Sequence, residues 1–282
     1  MSLREEVLTR VKALLKDRRV DGVLGLSLFE KEPVPCLFED PFDVDALVIE
    51  PKWLLAKLAM NILKTAPQEY RLGLVCRGCD DRAVTELAKR NQLDRNRLTL
   101  LGIPCTAEQA RKCLCSTPYP REIVAGERVE GMYPMNDEQA QLFLTGSMEE
   151  RMKRWARELN RCIKCYGCRN VCPICVCIPC KLEDDLWVKR GHIPADMVSY
   201  HLIRAFHLSD TCVSCAGCTD TCPVNIPLML LQVSMRETLK SQYAYEPGLD
   251  PERVSPVLTE QEKGEGTLFQ EPAWIDSLRG GS

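Results

Sequence analysis

Cys162, Cys165, Cys168 and Cys172, closed by Pro173, share their spacing with Cys212, Cys215, Cys218 and Cys222, closed by Pro223. Both runs read C-x-x-C-x-x-C-x-x-x-C-P, a spacing suited to cubane 4Fe-4S clusters. Three thiolates so close together wrap one cluster, the fourth points away to the other cluster, and the proline stops the turn from continuing as helix. The rule assigns Cys162, Cys165, Cys168 and Cys222 to one cluster, and Cys212, Cys215, Cys218 and Cys172 to a second. Two adjacent clusters make an electron conduit. Disulfides would need an oxidising compartment, and residues 1–6 do not resemble a positively charged leader with an apolar core. Zinc takes paired cysteines separated by a longer loop, not a run of four ending in Cys-Pro.

The chain has 17 cysteines, more than these runs use. Cys175, Cys177 and Cys180 follow the first run directly and alternate with Val176 and Ile178. They are candidates for extra ligands to a third cluster or a zinc ion, or for apolar packing beneath a cluster. Cys76, Cys79, Cys105, Cys113 and Cys115 form another group, at the end of one expected strand, in the turn after it and beyond the next strand. The carboxyl ends of neighbouring parallel strands lie together, which gathers these thiols at one edge. Four of the five could hold a further 4Fe-4S cluster; structural thiols and a flavin or phosphate pocket are the alternatives. Cys36, beside Pro35, has no assigned role. Arg77 and Arg82 flank a turn at Gly78 and the start of a helix, a geometry suited to an anion. Both phosphate-binding patterns, G-x-G-x-x-G and G-x-x-x-x-G-K-[ST], are absent from the sequence.

A chain of 282 residues, 45% of them hydrophobic, has room for two domains. Its formal net charge of −3 leaves no basic footprint for nucleic acid, and no apolar stretch reaches membrane-spanning length. Aromatic residues at 6% give no stacking platform, and His192, His201 and His207 leave little room for imidazole catalysis. A reducing, anaerobic cytoplasm is the expected setting.

The elements that must position these residues follow from periodicity. Val7, Val11, Leu14 and Leu15 predict an amphipathic helix over 3–16. Strands are expected at 20–28, 45–49, 71–76 and 97–102, with helices at 53–64 and 81–91. Strand, turn, helix, strand over 71–102 is a βαβ unit, so residues 1–130 are expected to form a small α/β domain with a parallel sheet. A charged helix over 148–161 leads into the first cysteine run, and another over 194–208 leads into the second. With a closing helix at 226–239, residues 145–240 are expected to be a largely helical, ferredoxin-like dicluster domain. Residues 241–282 are expected to be an irregular tail, with Phe269 and Trp274 as lone aromatics that suit a strap across a partner subunit.

The stretch Val75-Cys76-Arg77-Gly78-Cys79-Asp80-Asp81-Arg82-Ala83, then Asn91-Gln92-Leu93-Asp94 and Leu101-Gly102-Ile103-Pro104-Cys105, resembles the beta subunits of formate dehydrogenases and deazaflavin-reducing hydrogenases. Residues 161–173, with Cys175 and Cys177, are similar to the dicluster part of beta-subunit-like proteins that accompany heterodisulfide-reductase modules. Residues 205–208 and 222–228 resemble the second cluster of such subunits. The resemblance covers residues 70–235. It implies an electron-transfer subunit of an oxidoreductase complex. Such a subunit relays electrons between a catalytic dehydrogenase or hydrogenase, foremost a formate dehydrogenase, and a heterodisulfide-reductase-like or flavin-bifurcating module. Some members of the wider family bind FAD and reduce the deazaflavin coenzyme themselves, which makes a flavin-containing subunit acting on a soluble coenzyme the alternative. No FAD site can be traced here residue by residue.

Overall fold

Side chains that alternate along the strands cover both faces of a sheet: Val23, Val75 and Leu101 pack to one side, Leu24, Leu74 and Leu100 to the other. The computed structural model describes residues 1–193 and 197–257. Its sheet has the order β2-β1-β4-β5, with β3 pairing β1. The strands are β1 (Gly22–Phe29), β2 (Glu32–Phe38), β3 (Leu47–Val48), β4 (Leu72–Cys76) and β5 (Leu98–Gly102). β1, β4 and β5 run parallel, whereas β2 and β3 pair β1 antiparallel. The expected parallel sheet is therefore mixed. Strand β2 escapes the sequence reading because Pro33 and Pro35 argue against a strand; at the edge of the sheet their missing N–H groups cost no ladder bond.

Helix α1 (Leu3–Lys16), closed by a Ser2–Glu5 capping box, lays Val7, Val11 and Leu15 on one face of the sheet. Helices α2 (Ala56–Thr65) and α3 (Gly78–Lys89) cover the other. The expected turn at residues 77–80 is instead the first turn of α3, where Asp80 and Asp81 complement the helix dipole. The parallel β4–α3–β5 crossover is present as expected.

Beyond the sheet the chain is helical: α4 (Ala107–Lys112), α5 (Glu138–Leu144), α6 (Met148–Leu159), α7 (Gly167–Asn170), α8 (Leu202–His207), α9 (Gly217–Asp220) and α10 (Met229–Tyr243). The helix expected over 194–208 lies partly outside the described residues; its described part is a π-turn, Met197–His201, followed by α8. Ile174, Leu208, Val213 and Cys215 from the cysteine-run half share a core with Leu55, Ala56 and Ala83 of the α2/α3 layer. That shared core sets the two cysteine runs directly against α3.

Residues 244–257 are not a free tail. Tyr245 and Ser255 are buried, Tyr245 Oη and Gly248 N donate to Glu86 Oε1 at 3.2 and 2.7 Å, and Ser255 Oγ donates to Asp210 Oδ2 at 2.6 Å. Phe269 and Trp274 lie outside the described residues. Among the described residues no helix is long and apolar enough to cross a membrane.

Candidate metal centres

The two cysteine runs are wound alike. Lys164 and Tyr166 in the first, and Ser214 and Ala216 in the second, all have positive φ (51°, 58°, 59° and 57°). Left-handed non-glycine residues are costly and cluster at functional sites, so the same pair occurring twice marks a loop shape that both runs require. A short helix follows each loop, α7 and α9, and carries Cys168 and Cys218 inward to buried positions.

Cys162, Cys165 and Cys168 line one small cavity together with Cys222, Tyr200, His201 and Ile226. Burial raises the Cys162 thiol, the Lys164 amide at 3.4 Å opposes the rise, and nearby Cys168, Cys165 and Cys222 add to it. Burial likewise raises Cys168, against the Arg204 guanidinium and a hydrogen bond with Tyr200. The second set mirrors the first, with Cys215 raised by burial and then by Cys172, Cys79, Cys218 and Cys212. Cys172 behaves differently: a hydrogen bond from the Cys175 thiol, opposed by burial, lowers it to about 6.

Arg204, on α8, is buried between the two sets. Its Nη2 donates to Cys168 O at 2.9 Å, and it lies near Cys218, Cys172, Cys168 and Cys175. Arg204 Nε and His201 Nε2 are buried without hydrogen-bond partners, Tyr200 is hydrogen-bonded to the Cys168 thiol, and Tyr200 and His201 line the cavity with the four thiols. Crowded thiols held up by burial, beside orphaned polar atoms, suit a cationic metal group that also carries acceptor sulfides. The donor set therefore fits a cubane. Among the described residues no three Cys, His, Asp or Glu side chains close around a single metal ion. A cubane spreads its four thiolates over four irons and so holds them farther apart than one zinc does.

A third gathering lies at the carboxyl edge of the sheet. Cys79 opens α3, Cys105 follows β5, and Cys113 and Cys115 follow α4 on either side of Leu114, whose φ is 46°. Burial and then Asp80 raise Cys79, Lys52 and Arg82 oppose them and Cys105 adds to the rise; Cys105 is itself raised by burial, Cys115 and Cys113 against Arg77 and Lys52. Two cations enter this nest. Lys52 Nζ donates to Cys113 Sγ at 2.9 Å, and Arg82 Nη2 lies 3.6 Å from Cys115 Sγ. Burial lowers the Lys52 ammonium, but Cys79, Cys113 and Cys215 outweigh it and raise it overall. Cys76, the fifth expected member, is in the sheet core, raised by burial, Asp80 and Asp81.

The other expected residues scatter. Cys175 is hydrogen-bonded to Cys172, Cys177 is exposed, and Cys180 contacts Arg169, so these three do not converge. Cys36 is half-buried on β2, opposite Gly25. Arg77 is engaged by Ile49 O, Glu50 and Pro104 O rather than free for an anion. A Cβ on Gly78 would collide with the Tyr119 carbonyl, so at this glycine the chain, not a phosphate, makes the close approach. Lys52, Tyr200 and Arg204 were missed in the sequence reading. Tyr200 and Arg204 stand one helical turn apart just before the second run, a signal that could have been read; Lys52 left none.

No family model matches the chain. Over 136 residues, 47% of this chain and 35% of the relative, it is 35% identical to the F420-dependent formate dehydrogenase subunit beta of Methanocaldococcus jannaschii. Over 139 residues, 48% of this chain and 35% of the relative, it is 40% identical to the F420-dependent formate dehydrogenase 1 subunit beta of Methanococcus maripaludis. The match spans about a third of the length of these curated relatives.

Proposed function

We propose that this chain is an iron-sulfur electron-transfer subunit of a dehydrogenase complex. Cys162, Cys165, Cys168 and Cys222 hold one 4Fe-4S cluster, Cys212, Cys215, Cys218 and Cys172 a second, and Cys79, Cys105, Cys113 and Cys115 a third. The observation that carries this reading is the cavity in which Cys222, from the second run, meets the three leading thiols of the first. The likeness to formate dehydrogenase beta subunits supports a formate dehydrogenase as the catalytic partner. A heterodisulfide-reductase-like or flavin-bifurcating module is the partner on the other side, and a reducing cytoplasm the setting.

When bound, the clusters store and pass single electrons. The chain's own residues hold them and tune them. Amides of Lys164 and Ile226 donate to Cys162 and Cys222 sulfurs, each at 3.4 Å, which stabilises thiolate charge. Arg204 and Lys52 offset the charge of neighbouring thiolates from buried or half-buried positions. Cys165 is exposed, which makes its side of the first cavity the face for exchange with a partner.

The alternative, a flavin-bearing subunit acting on a soluble coenzyme, has less support, because the start of α3 is occupied by the Tyr119 backbone where a cofactor phosphate would sit. Anaerobic reconstitution followed by iron, sulfide and flavin analysis tests the choice. About twelve irons per chain and a visible band bleached by reductant are expected. Zinc in place of iron, or a stoichiometric flavin spectrum with coenzyme turnover in the isolated chain, would overturn the relay.

A further inference from the structure

The half-buried ammonium of Lys52 touches two of the three thiol groups at once. Its Nζ donates to Cys113 Sγ at 2.9 Å in the sheet-edge nest and to Cys215 O at 2.8 Å in the second cysteine run. The loop that carries it is tied at both ends. Before Lys52, Arg77 Nη2 binds Ile49 O at 2.8 Å and Glu50 Oε1 at 2.6 Å. After it, the Leu55 and Ala56 amides donate to Asp80 Oδ1 at 2.8 and 3.0 Å. Arg77 and Asp80 bracket Cys79 at the start of α3, so the lysine is registered against the same helix end that supplies a thiol to the nest.

We infer that Lys52 is a positioning residue that sets the potential of the nest cluster relative to the cluster on Cys215 and keeps the two at a fixed separation. This rests on the three-cluster reading above. A cation bonded to a ligand sulfur lowers the energy of an added electron at that group most, and at a group reached only through a carbonyl less. The transfer so biased is of one electron and no proton: one group is oxidised by one equivalent as the other is reduced by one. Lys57 offers an internal comparison. It joins the same two parts of the chain, its Nζ donating to Cys175 O at 2.7 Å and Asn170 O at 3.4 Å, both of them carbonyls.

The test is a potentiometric titration of the anaerobically reconstituted full chain, read by EPR, for the wild type, Lys52→Met, Lys52→Arg and Lys57→Met. At a poise near the wild-type midpoint, Lys52→Met should lower the reduced-to-oxidised ratio of the nest cluster about tenfold, equivalent to about 59 mV for a one-electron couple. Lys52→Arg should keep most of the ratio, and Lys57→Met should leave it unmoved. Twelve irons with an unchanged ratio in Lys52→Met, or an equal shift in Lys57→Met, would overturn the inference and leave the three-cluster reading standing. About eight irons in the wild type would overturn both. Should Lys52→Met lose iron, Lys52→Gln replaces it, and a shift there without one in Lys52→Arg supports the charge effect while equal midpoints sink it.

Discussion

Cys222 lies across one small cavity from Cys162, although each cysteine belongs to a different copy of the motif. The last thiol of each run lies toward the other, Cys222 in the cavity of the first and Cys172 beside Cys215 of the second.

The proposed exchange of the fourth ligand makes a specific prediction. Cys222→Ser should alter the same EPR signal as Cys162→Ser, and Cys172→Ser the same signal as Cys212→Ser. If Cys222→Ser instead resembles Cys212→Ser, the ligands are not exchanged and the assignment is wrong.

Arg204 stands between the two sets, bonded to Cys168 O at 2.9 Å and buried. Arg204→Met should lower both midpoints of the proposed dicluster pair while leaving the proposed nest cluster in place. In the apo chain the lost charged hydrogen bond should cost about 1.5–3 kcal/mol, measured by denaturant unfolding. A change confined to one midpoint would show that the guanidinium serves only one cluster.

Gly78 has no room for a side chain beneath Tyr119. Gly78→Ala should displace the segment around Tyr119, which lies near Cys115, and cost about 1–3 kcal/mol through overpacking. Unchanged stability, with unchanged proteolysis at residues 116–120, would remove the close approach as the reason for glycine.

Glu86 is fully buried, paired with Lys89 and Arg90, and accepts from Tyr245 and Gly248. Glu86→Ala leaves these donors without their acceptor and should cost about 3–5 kcal/mol, with early proteolytic release of the chain beyond residue 244. Glu86→Gln, which retains the shape and one acceptor oxygen, should cost less; equal losses would argue that charge rather than shape holds the segment.

Much of this was legible in the primary structure. The cysteine spacing, the amphipathic helix α1 and the β4–α3–β5 unit all depend on neighbours a few residues apart, and local spacing is what a sequence displays. Pro33 and Pro35 hid strand β2, since only its place at the sheet edge makes prolines tolerable there. The tail at residues 244–257 read as irregular because it is held by single bonds to Glu86 and Asp210, not by a repeating pattern.

By itself, the sequence determined that thiols come in two matched runs and that a βαβ unit precedes them. Only the tertiary structure decided which leftover thiols meet. Cys79, Cys105, Cys113 and Cys115 gather at the sheet edge, while Cys76 stays in the core and Cys175, Cys177 and Cys180 part company. The reason is physical: strand direction, helix docking and the reach of Lys52 and Arg204 toward backbone carbonyls bring together residues far apart along the chain. A carbonyl acceptor leaves no mark in the letters of a sequence.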